Sequence, residues 1–270
     1  MEVIVQKTPA DMSRAAAREV ANVLNATPDA VIGMATGSTP LGLYQELVRM
    51  HKKEGLDFSQ VTTFNLDEYV GLPVTHSQSY HYFMHENFFK HVNIPPQNIH
   101  IPSGTTSNYR AFCDWYEQRI KECGGIDVQI LGIGSDGHIA FNEPASSLVS
   151  RTRLKTLAKP TIDDNARFFN SRDEVPVYAI TMGVGTILES RRCLLLAVGP
   201  HKAAAIRSTV EGPVTAQVTA SALQLHREVV VIVDEDAASW LARREYYEEV
   251  ERAQQLLETG QFRSLGIGTN

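Results

Sequence analysis

One stretch of the chain, Leu131-Gly-Ile-Gly-Ser-Asp-Gly-His-Ile-Ala-Phe-Asn-Glu-Pro144, places an imidazole, His138, between two carboxylates, Asp136 and Glu143. Such a cluster can accept a proton from one atom of a bound molecule and return it to another, the work of general acid/base catalysis. A further acidic pair, Asp67-Glu68, opens the loop expected after the strand-like apolar run Val61-Thr-Thr-Phe-Asn-Leu66. A third segment, Ala35-Thr-Gly-Ser-Thr-Pro40, ends another apolar run, with Gly37, Ser38 and Thr39 leading into helical periodicity. Free backbone N–H groups at a helix start, beside the positive end of its dipole, favour a bound phosphate. Thr39 is expected to cap that helix and Pro40 to occupy its first turn.

These groups need a scaffold that brings them together. Apolar runs at Val31–Ala35, Val61–Leu66, Ile126–Ile133, Val177–Met182, Cys193–Val198 and Val229–Val233, after a first strand at Glu2–Val5, alternate with helical periodicity. The helical stretches are Ala10–Leu24, Pro40–Lys52, Tyr109–Glu122, His201–Thr209 and Ala237–Leu257. That alternation predicts an α/β fold, a doubly wound, mostly parallel sheet with helices on both faces, in one domain over residues 1–270. No linker or repeat divides it. Strands apolar at nearly every position imply a sheet covered on both faces, with active groups gathered beyond the strands' carboxyl ends. Lys202 also stands beyond such an end, and Arg167 is a second cation able to reach an anion there.

Several function classes are disfavoured. The glycines of Gly132-x-Gly134-x-x-Gly137 match a dinucleotide fingerprint, but Pro144 interrupts the long helix it must open, and the following Arg151-Thr-Arg-Leu-Lys-Thr156 is basic where an acid should hold a ribose. The Thr-Gly-Ser-Thr-Pro segment lacks the Gly-Lys-Ser/Thr ending of a nucleotide P-loop, so a phosphate monoester fits better than ATP. A net charge of −6 argues against a general nucleic-acid binder. No apolar run approaches the roughly 20 residues of a membrane helix. Three cysteines without a C-x-x-C pair, and a strand rather than a leader at the start, point to reduced thiols in the cytoplasm. His81 and His85 have i, i+4 spacing, and His76 is near, but Tyr82 replaces the Glu a zincin requires; no metal and no cofactor is expected.

Taken together, Thr36-Gly-Ser-Thr-Pro40, Phe64-Asn-Leu-Asp-Glu-Tyr-Val-Gly-Leu-Pro73, Ser79-Tyr80 with Phe88-Phe89, Gly132 to Pro144, Ala145 to Thr156, Arg167-Phe-Phe169 and Gly183-Val-Gly-Thr186 resemble the glucosamine-6-phosphate deaminase family. The resemblance spans nearly the whole chain. It implies conversion of glucosamine 6-phosphate and water to fructose 6-phosphate and ammonia. By it, His138 opens the pyranose ring, Asp136 and Glu143 orient and tune the imidazole, and Asp67 carries the C2 proton to C1. The phosphate would rest on Gly37, Ser38 and Thr39 with Arg167 and Lys202. Many relatives are hexamers activated by N-acetylglucosamine 6-phosphate, and Ser146, Arg153 and Lys155 resemble their effector stretch; a basic edge strand that discourages aggregation is the plainer account of those cations. The nearest rival, 6-phosphogluconolactonase, shares a similar Gly-x-Gly-x-Asp-Gly-His loop but has no need of a base at C2. A sugar-phosphate sensor on this fold would keep the phosphate cradle and lose acid/base groups.

Overall fold

In the computed structural model, which describes residues 1–258, the chain builds two sheets. The larger has seven strands: β1 (Glu2–Gln6), β2 (Val31–Met34), β3 (Thr62–Asn65), β5 (Ile99–His100), β6 (Val128–Leu131), β9 (Arg192–Ala197) and β10 (Val229–Asp234). All its pairings are parallel, in the order β1-β10-β9-β6-β2-β3-β5. Every residue of β2, β6 and β10 is buried, as the continuous apolar runs require when both faces are covered. The covering helices include α1 (Pro9–Ala26), α2 (Leu41–Glu54), α4 (Tyr109–Glu122) and α7 (Ala203–Val210).

Strand order reverses at β2: the chain runs outward through β3 and β5, then returns to place β6 on the other side of β2. The crevice beyond the carboxyl ends of β2 and β6 is thus the switch point where open α/β sheets take ligands.

The second sheet is small and antiparallel: β4 (Asp67–Tyr69), β8 (Tyr178–Thr181) and β7 (Arg153–Thr156), with β8 in the middle. Two expectations are corrected here. The run Val177–Met182 is a strand, but of this sheet rather than the parallel one, and Asp67 stands on a strand instead of in a loop. The reason is local: Leu66 still donates to the Met34 carbonyl (3.0 Å), and its own carbonyl then accepts from Met182, 2.7 Å away, so the chain passes from one sheet to the other within two residues. A separate apolar cluster of Tyr69, Phe141, Leu157, Ile162, Val175 and Ala179 packs this sheet against α5 (Lys159–Asn165).

Three short helices fell outside the expected pattern: α3 (Tyr80–Asn87), α5 and α6 (Val184–Leu188). The expected helix at Ala237–Leu257 begins later, as α8 (Arg244–Glu258), because Asp234 accepts from the Ala237 amide at 2.8 Å and turns the chain first. His201–Thr209 opens with a 3₁₀ turn at Pro200–Lys202 before α7. The expected unit over residues 1–270 extends past the described residues. Among the described residues, no helix is long and apolar enough to cross a membrane.

Candidate active site

A cavity of about 820 Å³ opens at the switch point. Gly37, Ser38 and Thr39 line one wall, after β2; Asp67 and His138 line others, after β3 and β6; Lys202 enters after β9, and Arg167 from the turn that follows α5. Residues separated by 165 positions therefore meet in one hollow because parallel strands deliver their carboxyl ends to the same edge.

The phosphate wall is set from beneath. The buried Tyr44 hydroxyl donates to the Ala35 carbonyl (2.5 Å) and accepts from the Ala35 amide (3.2 Å), fixing the strand end before the turn. Gly37 has φ +102° with open space around its missing Cβ, so glycine is needed for conformation, not for room. The expected Thr39 cap is absent: Pro40 is the cap residue of α2 and no side chain caps that helix. Its first amides are left to a ligand, which strengthens the anion reading of the loop. Lys202 is half-buried, and burial lowers its ammonium pKa while Asp164 and Asp136 nearby pull it back up. The Arg167 guanidinium lies 4.7 Å from the Phe168 ring centre.

Nδ1 of His138 is 2.7 Å from Oδ1 of Asp136 and 3.9 Å from Oε2 of Glu143. Neither approach is an aligned hydrogen bond; Nδ1 and Oε2 are both buried without one. The Asp136 carboxylate also accepts from the His138 amide at 3.1 Å. Burial raises the Asp136 pKa, but the contacts with His138 outweigh it and hold the group below its usual value. Neither Asp136 nor Glu143 touches the cavity; both reach it through His138. Glu143 spends its other oxygen on the Ala158 amide (3.1 Å), which ties the loop to the start of α5. Gly134 makes room for the imidazole rather than for a ligand, since a Cβ there would fall 2.4 Å from His138 Cε1.

Asp67 is buried and, among the described residues, has no basic partner. Burial, then the neighbouring Glu68 charge, pushes its pKa up to about 8. Glu68 faces the other way and accepts from the amides of Tyr69, Tyr80 and His81, which anchors the first turn of α3.

Asp136, His138 and Glu143 offer three ligand atoms within 4.8 Å of one another and could hold a divalent cation. His76, His81 and His85 do not gather: His76 accepts from the Gln78 amide, burial lowers the His81 pKa, and His85 sits beside Glu86. Ser146, Arg153 and Lys155 lie away from the cavity. Arg153 and Lys155 are on β7, an edge strand, and Arg153 Nη1 donates to the Asn142 side chain (2.9 Å). The sequence reading missed Thr36, Tyr80, Thr161, Asp164 and Asn165 on the cavity wall. The helical spacing of Thr161, Asp164 and Asn165 was available as a signal, but Pro160 hid the helix.

Residues 6–232 match the family described as glucosamine-6-phosphate isomerases/6-phosphogluconolactonase. The chain belongs to this family. Among curated relatives, the glucosamine-6-phosphate deaminase of Halothermothrix orenii is 54% identical over 241 residues, 89% of this chain and 100% of its own. That of Shewanella woodyi is 50% identical over 257 residues, 95% of this chain and 97% of its own. A solved family member, a monomeric glucosamine-6-phosphate deaminase, superposes with TM-score 0.87 at 46% identity, over 89% of this chain and all of the other. The 6-phosphogluconolactonase of Trypanosoma cruzi superposes with TM-score 0.72 at 20% identity, over 89% of this chain and 97% of its own, a likeness of fold alone.

Proposed function

We infer that the chain is a glucosamine-6-phosphate deaminase, converting glucosamine 6-phosphate and water to fructose 6-phosphate and ammonia. One observation carries the reading to this chain's own residues: a buried carboxylate, Asp67, with no cation paired to it among the described residues, shares a cavity with the His138 imidazole, the loop before α2 and the cations Arg167 and Lys202. The phosphate rests on Gly37, Ser38 and Thr39 with Lys202 and Arg167. His138 takes the C1 hydroxyl proton and delivers one to the ring oxygen, and the pyranose opens to the aldehyde. Asp136 and Glu143 act through the imidazole, one holding its charge and the other its orientation. Asp67 removes the C2 proton and returns it to C1, leaving a C2 imine that water hydrolyses with loss of ammonia. C1 is reduced as C2 is oxidised within the one molecule, so the sequence calls for positioned bases and no outside redox partner. A lactonase needs no base at C2, and Asp67 favours the deaminase over that rival.

Three finer features belong to the same reading. The enzyme acts in the cytoplasm, in keeping with a phosphorylated substrate and three free thiols. It assembles as a homohexamer, although the monomeric relative means that the fold does not require this. N-acetylglucosamine 6-phosphate activates it at Ser146, Arg153 and Lys155, supported by a Ser146 hydroxyl buried without a partner and two cations on one face of β7. The deciding assay incubates the pure protein with glucosamine 6-phosphate and measures ammonia and fructose 6-phosphate, with 6-phosphogluconolactone hydrolysis as comparison. Equimolar products are expected; lactone hydrolysis without ammonia release would overturn the assignment.

A further inference from the structure

The loop that carries the imidazole is held in an unusual shape by a segment some eighty residues away. Ala140 has φ +50° and Ala145 φ +71°, left-handed conformations that alanine rarely adopts and that persist only when the surroundings impose them. The surroundings here are residues 215–220. The Thr219 hydroxyl accepts from the Ile139 amide (3.3 Å) and donates to the Asn142 carbonyl (2.9 Å), closing a bracket across the strained Ala140. Ala220 donates to the Gly137 carbonyl (3.0 Å), and Ala145 donates to the Ala216 carbonyl (2.8 Å). Thr219, Ile139 and Asn142 are each fully buried, so no water can take over either bond. Thr219 therefore sets the path between His138 and Glu143, whose contact is 3.9 Å and would change with any relaxation of the turn.

We infer that Thr219 is a positioning residue for the ring-opening step, holding the His138–Glu143 pair through the Ala140 turn. The inference rests on the ring-opening role given to His138 above. Thr219 touches neither the cavity nor the phosphate cradle, so its effect falls on turnover rather than on substrate capture. It also falls on the closed-ring substrate, because proton transfer at C2 belongs to Asp67 on a different sheet.

The test compares Thr219→Val, the same shape without a hydroxyl, with Thr219→Ser, which keeps it. Each is assayed with glucosamine 6-phosphate and with its 4,5-dideoxy analogue, which lacks both hydroxyls able to close a ring on the aldehyde. For Thr219→Val, kcat on glucosamine 6-phosphate is expected to fall about 10²-fold, the order of loss for a misplacement near 1 Å, with KM within about twofold and the 4,5-dideoxy analogue slowed less than about threefold. Thr219→Ser should stay within about threefold of the parent on both substrates. Equal losses on the two substrates, an unchanged kcat in Thr219→Val, or a Thr219→Ser variant as slow as the valine would each overturn the inference. Should Thr219→Val not fold, the serine variant still decides, since its hydroxyl must suffice. His138→Gln serves as the reference: if it does not discriminate between the two substrates, the ring-opening role itself fails and the inference with it. If it does and Thr219→Val does not, only the role of Thr219 is lost.

Discussion

Asp67 carries a conflict between stability and chemistry. Its pKa rises from an ordinary 3.8 to about 8, so between these values the native state holds a proton that the unfolded chain has released. The unfolded state binds fewer protons in that window, and stability falls as pH rises through it. Asp67→Asn avoids the loss; its thermal midpoint should exceed the parent's by more near pH 9 than near pH 5, while kcat drops by about 10²- to 10⁴-fold because an amide cannot accept the C2 proton. A midpoint difference that does not grow with pH, from calorimetry at both values, would contradict the buried state of this carboxylate. In the proposed mechanism the free enzyme sheds this proton to act, so kcat/KM should climb with pH toward about 8. The ammonium on the substrate's C2 favours the ionised base and would bring the same limb in kcat to lower pH.

Among the elements, β7 depends on one acid from α4. Glu117 accepts from the Thr152 amide (2.7 Å), the Thr152 hydroxyl (2.5 Å) and the Thr186 hydroxyl (2.6 Å), and pairs with Arg151. Burial raises its pKa, but these donors outweigh burial and hold it below 4.5, so its contribution to stability is present above that value and lost as pH falls through the lower native one. Glu117→Ala should cost about 1–3 kcal/mol in denaturant unfolding, chiefly by leaving the buried Thr152 and Thr186 donors unsatisfied, and the loss should shrink in acid. A cost that stays constant below about pH 4 would show that the charge is irrelevant there. β5, two half-buried residues, gave no apolar run, but the other six strands of the large sheet were readable because such runs have no polar alternation to disguise them. Its smaller companion was not, since β4 is the three residues Asp67-Glu68-Tyr69, with no apolar pattern, and β8 looks like a central strand until its partner is known. That Asp67 and His138 share one crevice was legible, because both follow strands whose carboxyl ends meet at the same edge. Thr219 gave no sign: its partners are 77 and 80 positions away, and a hydroxyl bracket has no local spacing.

The whole molecule raises the questions of assembly and regulation. Light scattering on the purified protein is expected to give a mass six times 29.9 kDa, and a monomer's mass would align it with its solved monomeric relative. In saturation curves, N-acetylglucosamine 6-phosphate should lower the half-saturating substrate concentration, and Lys155→Ala should abolish the shift without altering the fully activated rate. Curves identical with and without the acetylated sugar would remove the effector role from Ser146, Arg153 and Lys155.

Because Asp67 sits on the small sheet while His138 follows a strand of the large one, the two halves of the proposed reaction rest on platforms of unequal strength. The seven-stranded sheet has continuous buried strands; the three-stranded one leaves Leu154 and Tyr178 open to solvent, at 42% and 49% exposure. Platforms with fewer buried contacts open at lower free energy than the core. On warming, the enzyme should fall silent several degrees before it melts, recovering fully on cooling, and amides of residues 153–156 and 178–181 should exchange with deuterium ahead of those in β6 and β10.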